Sequence, residues 1–189
     1  EVSSAASDIG TGTYTVMSMI AAEAMGLPLE RVTFRLGDST LPVAPIEGGS
    51  SHVATVGSAV EGACEKLRRL LWALAQRTRG SGFERTLLRD VEFVDGRLRR
   101  RGAPAHDLGM ALTDILAAQG RSQVEARYLL LPNVLKQKNY VRATHSAVFC
   151  EVKVDEELGT VRVTRVVSAI AAGRILSAKT AHSQITGGV

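Results

Sequence analysis

The residues able to do chemistry gather in three short stretches rich in glycine and hydroxyl side chains. The first is "SDIGTGTYTV", where Gly10, Thr11, Gly12 and Thr13 stand directly before an apolar helix pattern. Glycine lets the backbone approach a ligand closely and adopt positive φ. A helix N-terminus adds unpaired N–H groups and a partial positive charge, which suits an anion such as phosphate. Thr11, Thr13 and Thr15 add hydroxyl groups. The second stretch, "EGGSSHVATVGSAV", repeats the design, with Gly48, Gly49, Ser50 and Ser51 before another helix. Two such loops can converge on one polyanionic ligand. The third, "TAHSQITGGV", offers Gln184, which both donates and accepts, next to the flexible pair Gly187-Gly188.

Plainer explanations exist for each stretch. A glycine turn with Thr13 capping the helix accounts for the first, and a serine N-cap accounts for one serine of the second. G-T-G lacks the third glycine of a dinucleotide fingerprint, and no Gly-Lys-Ser/Thr follows to make a P-loop. Conventional catalytic groups are sparse. His52, His106, His145 and His182 lack the i, i+4 spacing of a zinc helix and read as structural or exposed. Asp8 and Asp38 are an acid–base candidate pair, yet both flank turns, where aspartate is common anyway. The residues thus give ligand-cradling loops without evident proton-transfer machinery or a metal-ligand cluster.

Composition narrows the classes. Aromatics make up 4% of the 189 residues, with Trp72 the single tryptophan, which argues against a base-stacking surface for nucleic acid. The net charge of +4 owes much to Arg97, Arg99, Arg100 and Arg101, together with Lys66, Arg68 and Arg69. These read as a solvated hairpin end and a polar helix face before they read as a phosphate-binding patch. Cys64 lies in a helical pattern and Cys150 in a strand pattern, so two free buried thiols are expected. No run approaches the roughly 20 apolar residues of a membrane helix. No secretory signal is visible, the first residue is Glu1, and the chain stops at "GGV". A piece of a longer polypeptide is the expectation.

The elements that must position these loops follow from periodicity. Residues 13 to 26 read as a helix stopped by Gly26 and Pro28. "RVTFRLG", 31 to 37, alternates like a strand. A second helix runs from about Ser51 to Arg77, with Val56, Val60, Ala63, Leu67, Leu70, Leu71 and Leu74 as its buried stripe. "RGSGFER" looks like a linker, "DVEFVDGRLRRRG" like a hairpin turning at Asp95-Gly96, and "DLGMALTDILAAQG" like a short capped helix. Residues 121 to 144 are poorly patterned. "HSAVFCEVKVDEELGTVRVTRVVSAIAAG" reads as two long antiparallel strands around a turn at Glu156 to Gly159. Hairpins mixed with helices make the class α+β. Three segments are expected: 1–78, a helix-strand-helix lobe with the first loops; 79–144, a variable hairpin and helix connection; and 145–189, the strand pair with the third loop.

Two long blocks, "SDIGTGTYTVMSMIAAEAMGLPLERVTFRLGDSTLPVAPIEGGSSHVATVGSAVEGAC" and "EVKVDEELGTVRVTRVVSAIAAGRIL…QITGGV", are collinear with a known pattern. They resemble the molybdenum-binding subunit of the xanthine dehydrogenase and aldehyde oxidase family. That pattern has an acidic residue or glutamine and then G-x-G opening a helix, AAE-x-x-G-L-P, G-D-[ST], G-G-S before a G-S-A-V helix, and Q-x-x-G-G. The resemblance implies a fold of the molybdopterin-binding type and oxidation of aldehydes or N-heterocycles. It implies molybdopterin with molybdenum as cofactor, in the cytosine dinucleotide form. Iron-sulfur and FAD groups are then expected on partner subunits, alongside the rest of the molybdenum subunit. Carried over by position, Gly10, Thr11, Gly12 and Thr13 form a first cofactor cradle, Gly49, Ser50 and Ser51 a second, and Gln184 a third contact. The catalytic glutamate of the pattern falls in a G-x-G-E segment beyond Val189, so this chain is expected to hold cofactor and to be inactive by itself.

The match has departures. Some members carry glutamine where Thr11 stands. Ala171, Ala172, Ser177 and Ala178 replace an Asp or Asp-Cys and an Asn-Pro of the pattern. They favour an alternative in which the chain is a degenerate, non-catalytic lobe kept as an assembly module. No nucleic-acid partner is expected. The compartment stays open, with cytoplasmic placement preferred to periplasmic.

Overall fold

The structure, a computed structural model, describes residues 1–131, 139, 141 and 143–189. It divides into two units, Glu1–Leu131 and Pro132–Val189. The described secondary structure is mixed, with helices and antiparallel strand pairs, and the class is α+β as expected.

In the first unit a short strand β1 (Val2–Ser3) leads through the first glycine loop into helix α1 (Thr13–Met25). Gly26 ends α1 in the left-handed conformation, and its N–H reaches the carbonyls of Ala22 and Glu23. This is the glycine stop that the sequence signals. Strand β2 (Phe34–Arg35) pairs with β1 in parallel. It is shorter than the alternation over 31–37 suggests. Its partner is only two residues long, and a 3-10 turn already occupies Leu29–Arg31.

The second helix begins with a wider π-helical stretch, Val53–Gly57, and continues as α2 (Ser58–Arg77). Val56, Val60, Cys64, Leu71, Leu74 and Ala75 are its buried residues. Cys64 takes a core place that the expected stripe gave to Ala63, while Leu70 is exposed. Helices α1 and α2 enclose the core with Met17, Ala21, Met25, Phe34 and Phe83. Tyr128, from the unpatterned stretch before Leu131, lays its ring against Gly62 of α2.

Strands β3 (Val91–Val94) and β4 (Arg97–Arg100) make the expected hairpin. Asp95 and Gly96 both have positive φ, the geometry of a two-residue turn matched to strand twist. A third strand, β5 (Met110–Ala111), pairs with β4 and runs directly into α3 (Leu112–Ala118). The helix expected from 107 therefore starts later, because Met110 and Ala111 are drawn into the sheet. "RGSGFER" is not a loose linker. Phe83 is buried, Ser81 donates to the Ala75 carbonyl at 2.7 Å, and Gln76 donates to the Thr86 carbonyl at 2.9 Å.

The second unit contains an antiparallel ribbon, β6 (His145–Asp155) and β7 (Thr160–Ala171), in register from His145↔Ala171 to Asp155↔Thr160 with an irregularity at Glu151/Val152. The Asp155 carboxylate accepts from the amides of Glu157 and Leu158 and closes the turn. Phe149, Val152, Val154, Val161 and Val163 are all more than half exposed. Cys150 is exposed with them, so the expectation of two buried thiols holds for Cys64 alone. Burial pushes the Cys64 thiol up to about 11. Helix α4 (Ala178–Gly187) follows β7. Part of the poorly patterned 121–144 stretch lies outside the described residues. Among the described residues no helix is long and apolar enough to cross a membrane.

Candidate functional site

The first loop is organised by Asp8. Its carboxylate accepts from the amides of Gly10 at 2.9 Å, Gly12 at 3.2 Å and Tyr14 at 3.2 Å. Gly10 and Gly12 have φ of 96° and 85°, which few other residues adopt. Gly12, not Thr13, is the N-cap residue, and no side chain caps α1 from that position. Thr13 is instead buried as the first helical residue. Partial burial of the Asp8 carboxyl works to raise its pKa. The amides of Tyr14, Gly10, Gly12 and Thr13 outweigh that and hold it below the usual carboxylate range.

The second loop is joined to the first through Glu47. Its carboxylate accepts from the Ser7 hydroxyl at 2.5 Å and the Thr11 hydroxyl at 2.9 Å. Thr11 Oγ1 also lies 3.3 Å from Thr13 Oγ1. The hydrogen bond from Ser7 contributes most to holding the Glu47 carboxyl below its ordinary range. Desolvation opposes it, and Thr11 and the charge of His52 add to it. The two loops are therefore brought together, as their shared design implies. Gly49 and Ser50 both have positive φ, and Ser51 turns back with its hydroxyl donating to the Gly48 carbonyl at 3.1 Å. A side chain built on Gly10, Gly48 or Gly49 would meet no atom within 4 Å, so the loop surfaces stand open.

Asp8 and Asp38 do not act as a pair. Asp38 accepts from the amide and hydroxyl of Thr40 at 2.8 and 2.7 Å, a local turn, while the carboxylate that feels the charge of Asp8 is Glu47. The histidines also divide. His106, His145 and His182 are exposed, but His52 is 8% exposed and neither ring nitrogen has a hydrogen-bond partner. It directly follows the second loop and precedes the π-helical stretch, a geometry that recurs at functional sites. Sequence reasoning passed over His52, because burial of a lone histidine depends on packing that spacing does not reveal. Glu47 was missed for the same reason, and Asp8 was read as half of an acid–base pair beside a turn and not as the group that organises the loop.

The third stretch differs from expectation. "SQITGG" is not a loop: Gln184 and Gly187 lie in α4, Gln184 is exposed, and Gly188 is the residue that ends the helix. Ser177 caps this helix, its hydroxyl accepting from the Thr180 amide at 3.4 Å. Gln184 lies in the second unit and the two glycine loops in the first. Among the described residues, no group of three His, Cys, Asp or Glu side chains converges as a metal site.

The arginine run is used internally. Arg97 donates to the carbonyls of Leu108 and Gly109, Arg99 pairs with Glu92 at 2.5 Å, Arg100 binds the Gly82 carbonyl, and Arg101 that of Arg89. Arg68 lies over the Phe93 ring at 4.9 Å, and Lys66 donates to the Arg127 carbonyl.

Comparison with known proteins supplies the family. The family model described as "Molybdopterin cofactor-binding domain" matches residues 1–189. The chain belongs to that molybdopterin cofactor-binding domain family. It is 37% identical over 182 residues to the aldehyde oxidoreductase molybdenum-binding subunit PaoC of Escherichia coli K12, covering 95% of this chain and 22% of that protein. The PaoC of Escherichia coli O157:H7 gives the same identity and coverage. The crystal structure of quinoline 2-oxidoreductase from Pseudomonas putida 86 superposes with a TM-score of 0.69, covering 97% of this chain and 23% of that one, at 18% identity. The chain thus spans about a fifth of the length of these relatives. The last comparison shows a shared fold, with the same mixture of helices and antiparallel strand pairs.

The residues of the first unit fit a molybdopterin ligand in three respects. The glycine loops are open, hydroxyls of Thr11, Ser50 and Ser51 belong to them, and the buried, unpartnered imidazole of His52 directly follows the second in sequence. In one respect they do not match the simplest picture of a phosphate cradle. Three amides at the start of α1 are already satisfied by Asp8, so the first loop offers shape and hydroxyls more than free N–H groups.

Proposed function

We propose that this molybdopterin cofactor-binding domain holds the cofactor of a molybdenum hydroxylase that oxidises aldehydes or N-heterocycles. The Glu47 bridge carries the reading: it locks two open glycine loops, far apart in sequence, into one surface. The names of the relatives, an aldehyde oxidoreductase subunit and a quinoline 2-oxidoreductase, are in keeping with that substrate range. Gly10, Thr11, Gly12 and Thr13 on one side, and Gly49, Ser50 and Ser51 on the other, hold the cofactor, with Gln184 as a further contact. The cytosine dinucleotide is its form, and iron-sulfur and FAD groups on partner subunits would supply the onward path for electrons. When bound, the cofactor supplies the two-electron redox chemistry.

The work of this chain is orientation. Asp8 fixes the backbone of the first loop, Glu47 fixes the second loop against it, and both loops are anchored on the packed helices α1 and α2. A site held on rigid elements keeps a reactive group within the narrow geometry that chemistry needs.

The reading is tested with Thr11→Val in the complete polypeptide that carries this chain. The substitution removes the hydroxyl that meets Glu47 while keeping side-chain volume. The variant is expected to purify folded with several-fold less pterin, measured as the fluorescent oxidation product. Full pterin occupancy would remove the first loop from the cofactor site.

A further inference from the structure

His52 is the polar side chain that the account above leaves without a task. It is nine-tenths buried, and both ring nitrogens lack a hydrogen-bond partner. Buried polar groups are nearly always satisfied, and an orphan calls for an explanation in function or in a missing partner. Its place gives the direction. It follows Ser51 immediately, and its charge is felt at Glu47, the residue that joins the loops.

The charges of the loops sharpen the point. Residues 7–13 and 47–53 contain two carboxylates, Asp8 and Glu47, and no lysine or arginine. The amides of Gly10, Gly12 and Tyr14, which would otherwise face an anion, are taken by Asp8. A phosphoryl group brought to these loops would meet negative charge, with His52 the one side chain there able to carry a positive one. An imidazole N–H in such a place can meet an anionic oxygen by a charge-assisted hydrogen bond.

The geometry points to His52 as a binding residue that donates a hydrogen bond to a phosphoryl oxygen of the ligand held between the two glycine loops. The inference rests on the cofactor reading above and adds a residue and a chemical group to it. It makes a prediction that a structural histidine would not. Replacing an unsatisfied buried imidazole with an apolar side chain removes a cost from the ligand-free protein and removes a contact from the loaded one.

The test uses the complete polypeptide with His52→Leu and His52→Gln. Pterin content is measured in protein from cofactor-competent cells. Hydrogen exchange over residues 47–60 is measured in protein from cells unable to make molybdopterin, with and without inorganic pyrophosphate. His52→Leu should retain roughly tenfold less pterin, a loss in the range of one charge-assisted hydrogen bond. Its ligand-free 47–60 segment should exchange no faster than wild type. His52→Gln, which keeps a donor, should lie between the two in pterin content. Pyrophosphate should slow exchange in the wild type and leave His52→Leu unchanged. If His52→Leu keeps full pterin, or if its ligand-free segment exchanges faster, the histidine is structural and the inference fails. Equal protection of both proteins by pyrophosphate also overturns it. If the wild type itself carries no pterin, the cofactor reading has failed, and that outcome is distinct from the other three.

Discussion

At the scale of single residues, the site rests on two carboxylates doing structural work. Asp8 replaces a conventional cap by reaching forward to three amides, so Asp8→Ala should destabilise the first unit by about 1 kcal/mol, the usual cost of a lost helix cap. The pH dependence has a definite sign. Both Asp8 and Glu47 have folded pKa values held below their ordinary ones. Their stabilisation is present above the unfolded pKa and is lost as pH falls through the folded one, below about pH 4. The protection of amides 8–14, taken relative to the intrinsic exchange rate at each pH, should fall there in the wild type, and Asp8→Asn should show the lowered protection already at neutral pH. A flat profile shared by both proteins would exclude the capping role. The loop glycines were legible in the sequence, because G-T-G and G-G before helix patterns announce positive φ. The roles of Asp8, Glu47 and His52 were not. Each depends on what the fold brings beside it: Glu47 meets Thr11 from 36 positions away.

At the scale of elements, the glycine that ends α1 ties the site to the rest of the unit. Gly26 has a φ of 58°, its carbonyl accepts from the Gly96 amide at 3.2 Å, and a Cβ there would collide with the Phe93 carbonyl of the hairpin. Gly26→Ala should therefore cost about 3 kcal/mol, from left-handed strain plus overpacking against backbone, measured by denaturant unfolding. A cost below about 0.5 kcal/mol, typical of an open surface site, would show that α1 and the hairpin are not locked together. The helices and the hairpin could be read in advance because 3.6-residue periodicity and the Asp95-Gly96 turn are local signals. Strand β2 was overread, since strand length is set by the partner, and its partner β1 has two residues. The third stretch was misread for a related reason. A Gly-Gly pair marks the end of a helix as readily as a loop, and Ser177 supplies the cap that starts one. The substitution at Ser177 that suggested degeneration thus has a local structural use.

At the scale of the whole molecule, the ribbon is the informative feature. A two-stranded sheet is at best marginally stable in water, yet β6–β7 presents Phe149, Val152, Val154, Val161 and Val163 to solvent. The relatives are several times longer than this chain, which covers 22% of PaoC. Expressed alone, the 189-residue chain should show fast amide exchange along the ribbon and bind an apolar dye there, while the same residues in the complete polypeptide should be protected. Fast exchange in both would mean that the ribbon stays uncovered. No local pattern in the sequence reports such exposure, because strand alternation looks the same whether the covering layer belongs to this segment or to another.

The central claim, that the two bridged loops hold a molybdopterin cofactor, is met most directly by analysing the complete native complex for molybdenum, pterin and released nucleotide after acid hydrolysis. The account predicts stoichiometric molybdenum and pterin with an equal amount of CMP. A complex purified from cofactor-competent cells with none of the three would contradict it and leave the glycine loops as turns.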